Sequence, residues 1–234
     1  MENLDWRLGL KPETIPVFEA VSQLDVLKGL YLCGGTAQSI QMMHRKSEDL
    51  DFELLGIRKD RPQLDFSAIS NAISTLYPDC KKEFLGKNQL QVFVNGNVKL
   101  SFFRPDNAVP ELKKGFVFNN IVTPTLQELL GMKLFTIAVR SAFRDYYDIY
   151  SLLKEGYDLE QGVAYAGRFS RHTIHSKTIY SILLNENYFN KPENFALLEP
   201  KYEVMQVILQ NSSKNTLLKK KSKSKTNTCN VTDS

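Results

Sequence analysis

Asp49 and Asp51 stand two residues apart in the run Asp49-Leu50-Asp51-Phe52. On a β-strand, side chains at i and i+2 project from one face, so both carboxylates can share a divalent cation while Leu50 and Phe52 turn into a core. Upstream, the apolar stretch ending in Tyr31-Leu32-Cys33 reads as a buried strand delivered into Gly34-Gly35-Thr36. Glycines there let backbone amides approach a phosphate, and the amino end of a following helix adds partial positive charge. Twelve residues separate Thr36 from Asp49. In this order the pieces are those needed to hold a nucleoside triphosphate and its Mg²⁺, with the α-phosphate presented to a nucleophile.

A second group of charged residues lies about eighty positions further on: Lys133 in Met132-Lys133-Leu134, then Arg140, then Arg144-Asp145-Tyr146-Tyr147-Asp148. Asp145 and Asp148, at i and i+3, share a helix face. Taken as residues, the group has two readings. Lys133 is a compact cation for phosphate oxygens, or it snorkels from a buried helix while Arg140, Arg144, Asp145 and Asp148 form an interhelical salt-bridge cluster. His44-Arg45 either contacts a nucleotide or caps the short helix. Lys99 reads as a solvated strand residue and Cys33 as a small buried hydrophobe. His172 and His175 read as a surface pair, since no Cys, Asp or Glu joins them. Tyr146, Tyr147 and Tyr150 read as helix packing.

The elements that must position these groups follow from periodicity. Residues 12 to 29 carry apolar positions at threefold spacing and predict a helix. Thr36 is placed to cap a short helix through Met43, and residues 49 to 55 alternate like a strand with one wet face. A helix is expected from Asp65 to Tyr77. Residues 89–94 and 98–103 flank Asn95-Gly96-Asn97 and predict a hairpin. After Thr123-Pro124-Thr125 the spacing is helical: 126–140, 144–153, 158–169 and 173–184, with Thr125 or Thr123 as the first cap. The fold class is therefore α+β, a sheet-bearing first part followed by a helical second part.

The formal net charge is +4. The last 24 residues hold six lysines and one aspartate, so that segment carries +5 and the preceding 210 residues carry −1. Composition thus excludes a globally basic nucleic-acid binder and assigns the basicity to a tail. Residues 211–234, rich in Ser, Asn, Thr and Lys, are expected to be disordered. Three cysteines without CxxC spacing argue against a disulfide framework and for a reducing, cytoplasmic setting. Neither a signal peptide nor a membrane span is expected.

The run Gly34-Gly35-Thr36-Ala37, His44-Arg45, Ser47 and Asp49-Leu50-Asp51-Phe52 resembles the signature of the AbiEii/AbiGii-type toxin nucleotidyltransferases, a bacterial branch of the polymerase-β-like nucleotidyltransferase superfamily. The second group, extended to Leu152-Leu153, is similar to that family's second signature. Together they cover roughly residues 28 to 155.

The resemblance implies a nucleotidyltransferase-like mixed sheet over residues 1–122, a helical domain over 123–210 and the tail. Asp49 and Asp51 would bind Mg²⁺. Gly34, Gly35 and Thr36 would hold the triphosphate, with Arg45, Ser47 and Arg140 as further nucleotide contacts. Lys133 would balance phosphate charge, and Asp148 would orient Lys133 or act near the acceptor. His44, Arg144 and Asp145 would support the site. The implied reaction moves a nucleoside monophosphate from a triphosphate to tRNA or a protein hydroxyl. The implied biology is the toxin of a toxin–antitoxin or abortive-infection system, with an antitoxin encoded beside it. One departure stands out. The wider superfamily supplies a third carboxylate from the neighbouring strand, where this chain has Ser101 between Leu100 and Phe102.

Overall fold

The computed structural model describes residues 5–55, 64–104, 112–140, 142–169, 174–185 and 202–229. Among these residues the chain runs through α1 (Thr14–Val21), β1 (Tyr31–Leu32), α2 (Gly34–Met42), β2 (Leu50–Glu53), α3 (Phe66–Leu76), β3 (Lys81–Leu85), β4 (Gln89–Val94) and β5 (Val98–Phe103). A small second sheet, β6 (Lys114–Phe118) with β7 (Ile121–Pro124), precedes the helices α4 (Leu126–Val139), α5 (Phe143–Lys154), α6 (Leu159–Phe169), α7 (Ser176–Leu184) and α8 (Tyr202–Cys229). The described residues divide into two units between Leu129 and Leu130.

In the first unit five strands form one sheet in the order β1-β2-β5-β4-β3. The Asn95-Gly96 hairpin forms as the sequence predicts, with φ of 49° and 80° at those two residues. β2 pairs in parallel with β5, while the other neighbours are antiparallel. Alternation then sorts the side chains. Leu50, Phe52, Leu90, Val92, Leu100 and Phe102 are buried on one face, where the Phe52 and Phe102 rings stack at 5.3 Å. Burying each of those two rings stabilises the unit by about 2–3 kcal/mol. Asp51, Glu53, Lys99 and Ser101 take the other face.

Three boundaries differ from expectation for local reasons. The helix expected over 12–29 stops at Val21, because the Ser22 carbonyl accepts from the Asn120 amide at 3.0 Å instead of continuing the helical ladder. A short 3-10 turn over Asp25–Leu27 and Gly29 at φ +90° then lead into β1. Of the two candidate caps for α4, Thr125 is the one used: its amide and hydroxyl reach Glu128 at 3.1 and 2.8 Å. Thr123 is spent inside the small sheet, accepting from the Phe116 amide at 2.9 Å. Glu128, only 3% exposed, also accepts from the Lys113 amide at 2.9 Å. The first turn of α4 is therefore tied to the first unit, and the division falls past the expected 122/123 boundary.

In the second unit α4 and α6 approach through glycines. A Cβ at Gly131 would stand 2.4 Å from Tyr165 Cβ, and one at Gly162 would stand 2.8 Å from Leu130 Cγ. Helix α8 packs on α5, α6 and α7. It takes in residues 211–229, for which the sequence predicts disorder. Met205, Leu209 and Ser213 are buried at fourfold spacing, so the packed stripe runs past residue 211. Lys220 reaches Glu160 at 3.6 Å and lies 5.4 Å from the Tyr180 ring centre. Residues 230–234 lie outside the described residues.

Candidate active site

The carboxylate pair is built by three short segments of the first unit. β1 ends at Cys33, whose amide donates to the Asp51 carbonyl at 2.7 Å and so fixes the turn against β2. Gly34 follows in the left-handed region, φ +68°, where a side chain would be strained. A Cβ built on it would stand 3.2 Å from Asp51 Oδ2. That gap beside a carboxylate oxygen requires glycine twice, once for conformation and once for room. Gly35 and Thr36 then begin α2, leaving first-turn amides without helical partners.

Thr36 does not cap α2 as expected; Cys33 occupies the cap position without a side-chain bond. The Thr36 hydroxyl instead shares a hydrogen bond with Ser47 Oγ at 2.7 Å and donates to the Asp49 carbonyl. Ser47 is itself held by backbone bonds, its amide donating to Gly9 and its carbonyl accepting from Lys11, each at 2.9 Å. Thr36 and Ser47 therefore fix the backbone entering β2. Both are buried, at 2% and 8% exposure, which suits a clamp better than direct nucleotide contact. Arg45 is also buried, and Nη1 donates to the Lys46 carbonyl at 3.4 Å. His44 is half-buried in the same loop, after Met43 closes α2 in the left-handed conformation.

The register places Ser101 directly across from Asp51. Ser101 is 1% exposed, and its hydroxyl has no hydrogen-bond partner among the described residues. Lys99, read from sequence as solvated, instead holds Asp49 Oδ2 at 3.0 Å. Glu53 extends the Asp49-Asp51 alternation by one step, a period-two signal that sequence reading passed over. Burial first, and the nearby Asp51 charge second, push the Glu53 carboxyl up from 4.5 to about 7. Burial also pushes the Cys33 thiol well above its ordinary value, helped by Glu53 and Asp51, which fits a buried hydrophobe.

The groups here that could ligate a metal offer oxygen, the donor a hard divalent cation prefers, with the Lys99 ammonium beside them. Two carboxylates, the unpartnered Ser101 hydroxyl and the open gap at Gly34 fit Mg²⁺. Among the described residues no group of three or more His, Cys, Asp or Glu is placed to share a metal ion.

The second charged group lies within the second unit. Lys133 Nζ sits 2.9 Å from Asp145 Oδ1 and 2.7 Å from Asp148 Oδ2, and Arg140 Nε lies 3.1 Å from Asp145 Oδ2. The Lys133 side chain is 6% exposed, both aspartates are fully buried, and Arg140 is 57% exposed. Burial raises the Asp145 carboxyl, but the charges and hydrogen bonds of Lys133 and Arg140 outweigh it and hold the group below its ordinary value. The spacing thus brings Lys133, Arg140, Asp145 and Asp148 together as expected. Arg144 is half-buried on the same helix as the two aspartates. Tyr146, Tyr147 and Tyr150 are buried, the last two with ring centres 6.0 Å apart, so they serve packing. His175 opens α7 through its carbonyl, and His172 lies outside the described residues.

No helix among the described residues is long and apolar enough to cross a membrane. The chain is 28% identical over 211 residues to an uncharacterised protein of Aquifex aeolicus, covering 89% of this chain and 98% of that one. Two solved structures share the fold. One is JHP933 from Helicobacter pylori, with TM-score 0.55 and 16% identity, over 96% of this chain and 100% of that one. The other is MenT4, a nucleotidyltransferase toxin of Mycobacterium tuberculosis, also at TM-score 0.55 and 16% identity, over 84% of this chain and 79% of that one. A model of the nucleotidyl transferase AbiEii toxin family, assigned to type IV toxin–antitoxin systems, matches residues 18–207, and the chain belongs to that family of nucleotidyltransferases.

Proposed function

We propose that the protein is an Mg²⁺-dependent transferase that moves a nucleoside monophosphate from a triphosphate to tRNA or to a protein hydroxyl. The observation that carries this reading is the carboxylate pair of Asp49, just before β2, and Asp51, on β2, with Gly34 leaving room beside Asp51 Oδ2. In the reaction the acceptor oxygen bonds to the α-phosphorus, the bond to the bridging oxygen breaks, pyrophosphate departs and the acceptor hydroxyl loses its proton. Asp49 and Asp51 would hold Mg²⁺, which when bound neutralises phosphate charge and polarises the α-phosphoryl group. The first-turn amides of α2 bind phosphate oxygens, and Thr36 and Ser47 fix the carboxylate strand. Asp145 and Asp148 orient Lys133 through their hydrogen bonds. Arg45 serves as an additional nucleotide contact. The type IV toxin assignment of the family supports a cognate antitoxin encoded nearby and a cytoplasmic site of action.

Incubating the protein with each α-labelled triphosphate, Mg²⁺ and total RNA should transfer label to RNA or protein. Transfer should vanish in the Asp49→Ala, Asp51→Ala double variant. Absence of transfer with every triphosphate would sink the reading. Ser101 in the third carboxylate's place favours one alternative, a nucleotide- or RNA-binding regulatory module with little or no turnover. Mg²⁺-dependent triphosphate binding that requires Asp49 but releases no pyrophosphate would select it.

A further inference from the structure

We propose that the carboxylate pair takes a single divalent cation, and that Lys99 supplies the positive charge a second ion would bring. The inference rests on the reading of Asp49 and Asp51 as metal ligands. Across the β2–β5 pair, Ser101 lies opposite Asp51, and Lys99, two residues earlier on β5, reaches Asp49. A site for two divalent ions needs more negative charge than two carboxylates supply, which is why such sites add a carboxylate on the neighbouring strand. Here that strand offers a neutral hydroxyl and a cation. Among the described residues no third carboxylate joins Asp49 and Asp51 as a metal-binding group.

Lys99 lies close enough to matter. Its ammonium is 3.0 Å from Asp49 Oδ2, and the two side chains are 30% and 28% exposed, so water screens the pair only in part. A divalent ion bridging both carboxylates meets the field of that ammonium, and a second one meets the ammonium and the first ion together. Ser101 offers a neutral oxygen, buried and without a partner among the described residues, which suits the oxygen shell of one hard cation and adds no charge to hold another. Lys99 is thus a positioning residue: it holds Asp49 and sets how many ions the pair accepts.

The test counts bound Mn²⁺ on the full chain by electron paramagnetic resonance of the free ion. Wild type should bind one Mn²⁺ per chain. Lys99→Gln should keep that count and tighten the site about threefold, the scale of a partly exposed ion pair. The Lys99→Gln, Ser101→Asp double variant, checked for a cooperative melt, should bind two. A wild-type count of two, or an affinity unmoved by Lys99→Gln, overturns the inference without needing the double variant to fold. A count unchanged in Asp49→Ala, Asp51→Ala overturns the metal-ligand reading and this inference with it.

Discussion

The β2 carboxylates and the Lys133 cluster both set acids against a lysine, but they differ in what remains available. Asp49 and Lys99 are each about 30% exposed, and Asp51 adds a second carboxylate on the same face. There two carboxylates and a lysine stand within reach of water. In the second unit Lys133 and two aspartates are almost wholly removed from water, and among the described residues Arg140 adds a second cation beside Asp145. That cluster is charge-paired, saturated with short contacts and fixed in place. An exposed, acid-rich pair can exchange a ligand at little cost to stability. A buried, charge-paired one cannot lose a member without stranding the rest. The same residue types thus make a solvent-accessible acidic position in one unit and a buried, charge-paired brace in the other.

The contrast breaks most visibly at Lys133. Lys133→Ala removes the ammonium shared by the buried Asp145 and Asp148, and should cost about 3–5 kcal/mol in denaturant unfolding. A loss below about 1 kcal/mol, the range of solvated pairs, would show that the cluster is not a buried brace. Its acid behaviour follows from Asp145. That carboxyl titrates below its ordinary value of 3.8 in the folded protein, so the unfolded chain takes up its proton first as pH falls. The stability it contributes is fully present above 3.8 and is lost as pH drops through the lower folded value. Asp145→Asn should therefore flatten the acid limb of a melting-temperature profile while lowering the plateau at neutral pH. An unchanged acid limb would place the lost stability elsewhere.

The brace also depends on how closely α4 approaches α6. Gly131→Ala sets a methyl 2.4 Å from Tyr165 Cβ, an atom fixed to backbone that cannot swing aside. We expect a loss of about 1–3 kcal/mol. Gly162→Ala meets Leu130 Cγ and the Leu134 and Leu130 methyls, which shift by side-chain rotation, and should cost less, so equal losses would mean the helices move apart freely. In the first unit Asp49→Asn removes only the pair with Lys99 and should change stability by less than about 1 kcal/mol. That same variant should abolish divalent-ion binding. A large loss of stability would make Asp49 structural.

Legibility from sequence divided along the same line. Period-two alternation and Asn95-Gly96 identified β4, β5 and the carboxylate strand, because their register is set by residues a few positions apart. The i, i+3 spacing of Asp145 and Asp148 announced a shared face for the same reason. What escaped was set by partners distant in the chain. Lys99 meets Asp49 only because β2 and β5 pair in parallel across 50 positions, and nothing in Val98-Lys99-Leu100 signals that neighbour. Thr36 looked like a cap because its local options favour one, but the strand entry that claims its hydroxyl lies 13 residues on. The end of α8 escaped because Ser213 is apolar in role though polar in type. Its hydroxyl bonds back to the Leu209 carbonyl at 2.8 Å and lets the buried stripe continue.

A polyanionic acceptor of the proposed reaction would be drawn to positive charge that no acid neutralises. Lys133 is neutralised at close range and projects little field, whereas Lys221, Lys223 and Lys225 follow one another in the sequence with no acidic residue between them. Truncation at 211 would remove the buried Ser213 and mix unfolding with lost charge. Changing the three lysines to glutamine isolates the charge, and should move stability by no more than about 0.5 kcal/mol. If each lysine meets one phosphate of single-stranded RNA, the slope of log affinity against log salt should fall by roughly 2. Triphosphate binding should stay as in wild type. An unchanged salt slope would remove α8 from RNA contact, and a weakened triphosphate affinity would show that these lysines act on the nucleotide rather than on the acceptor.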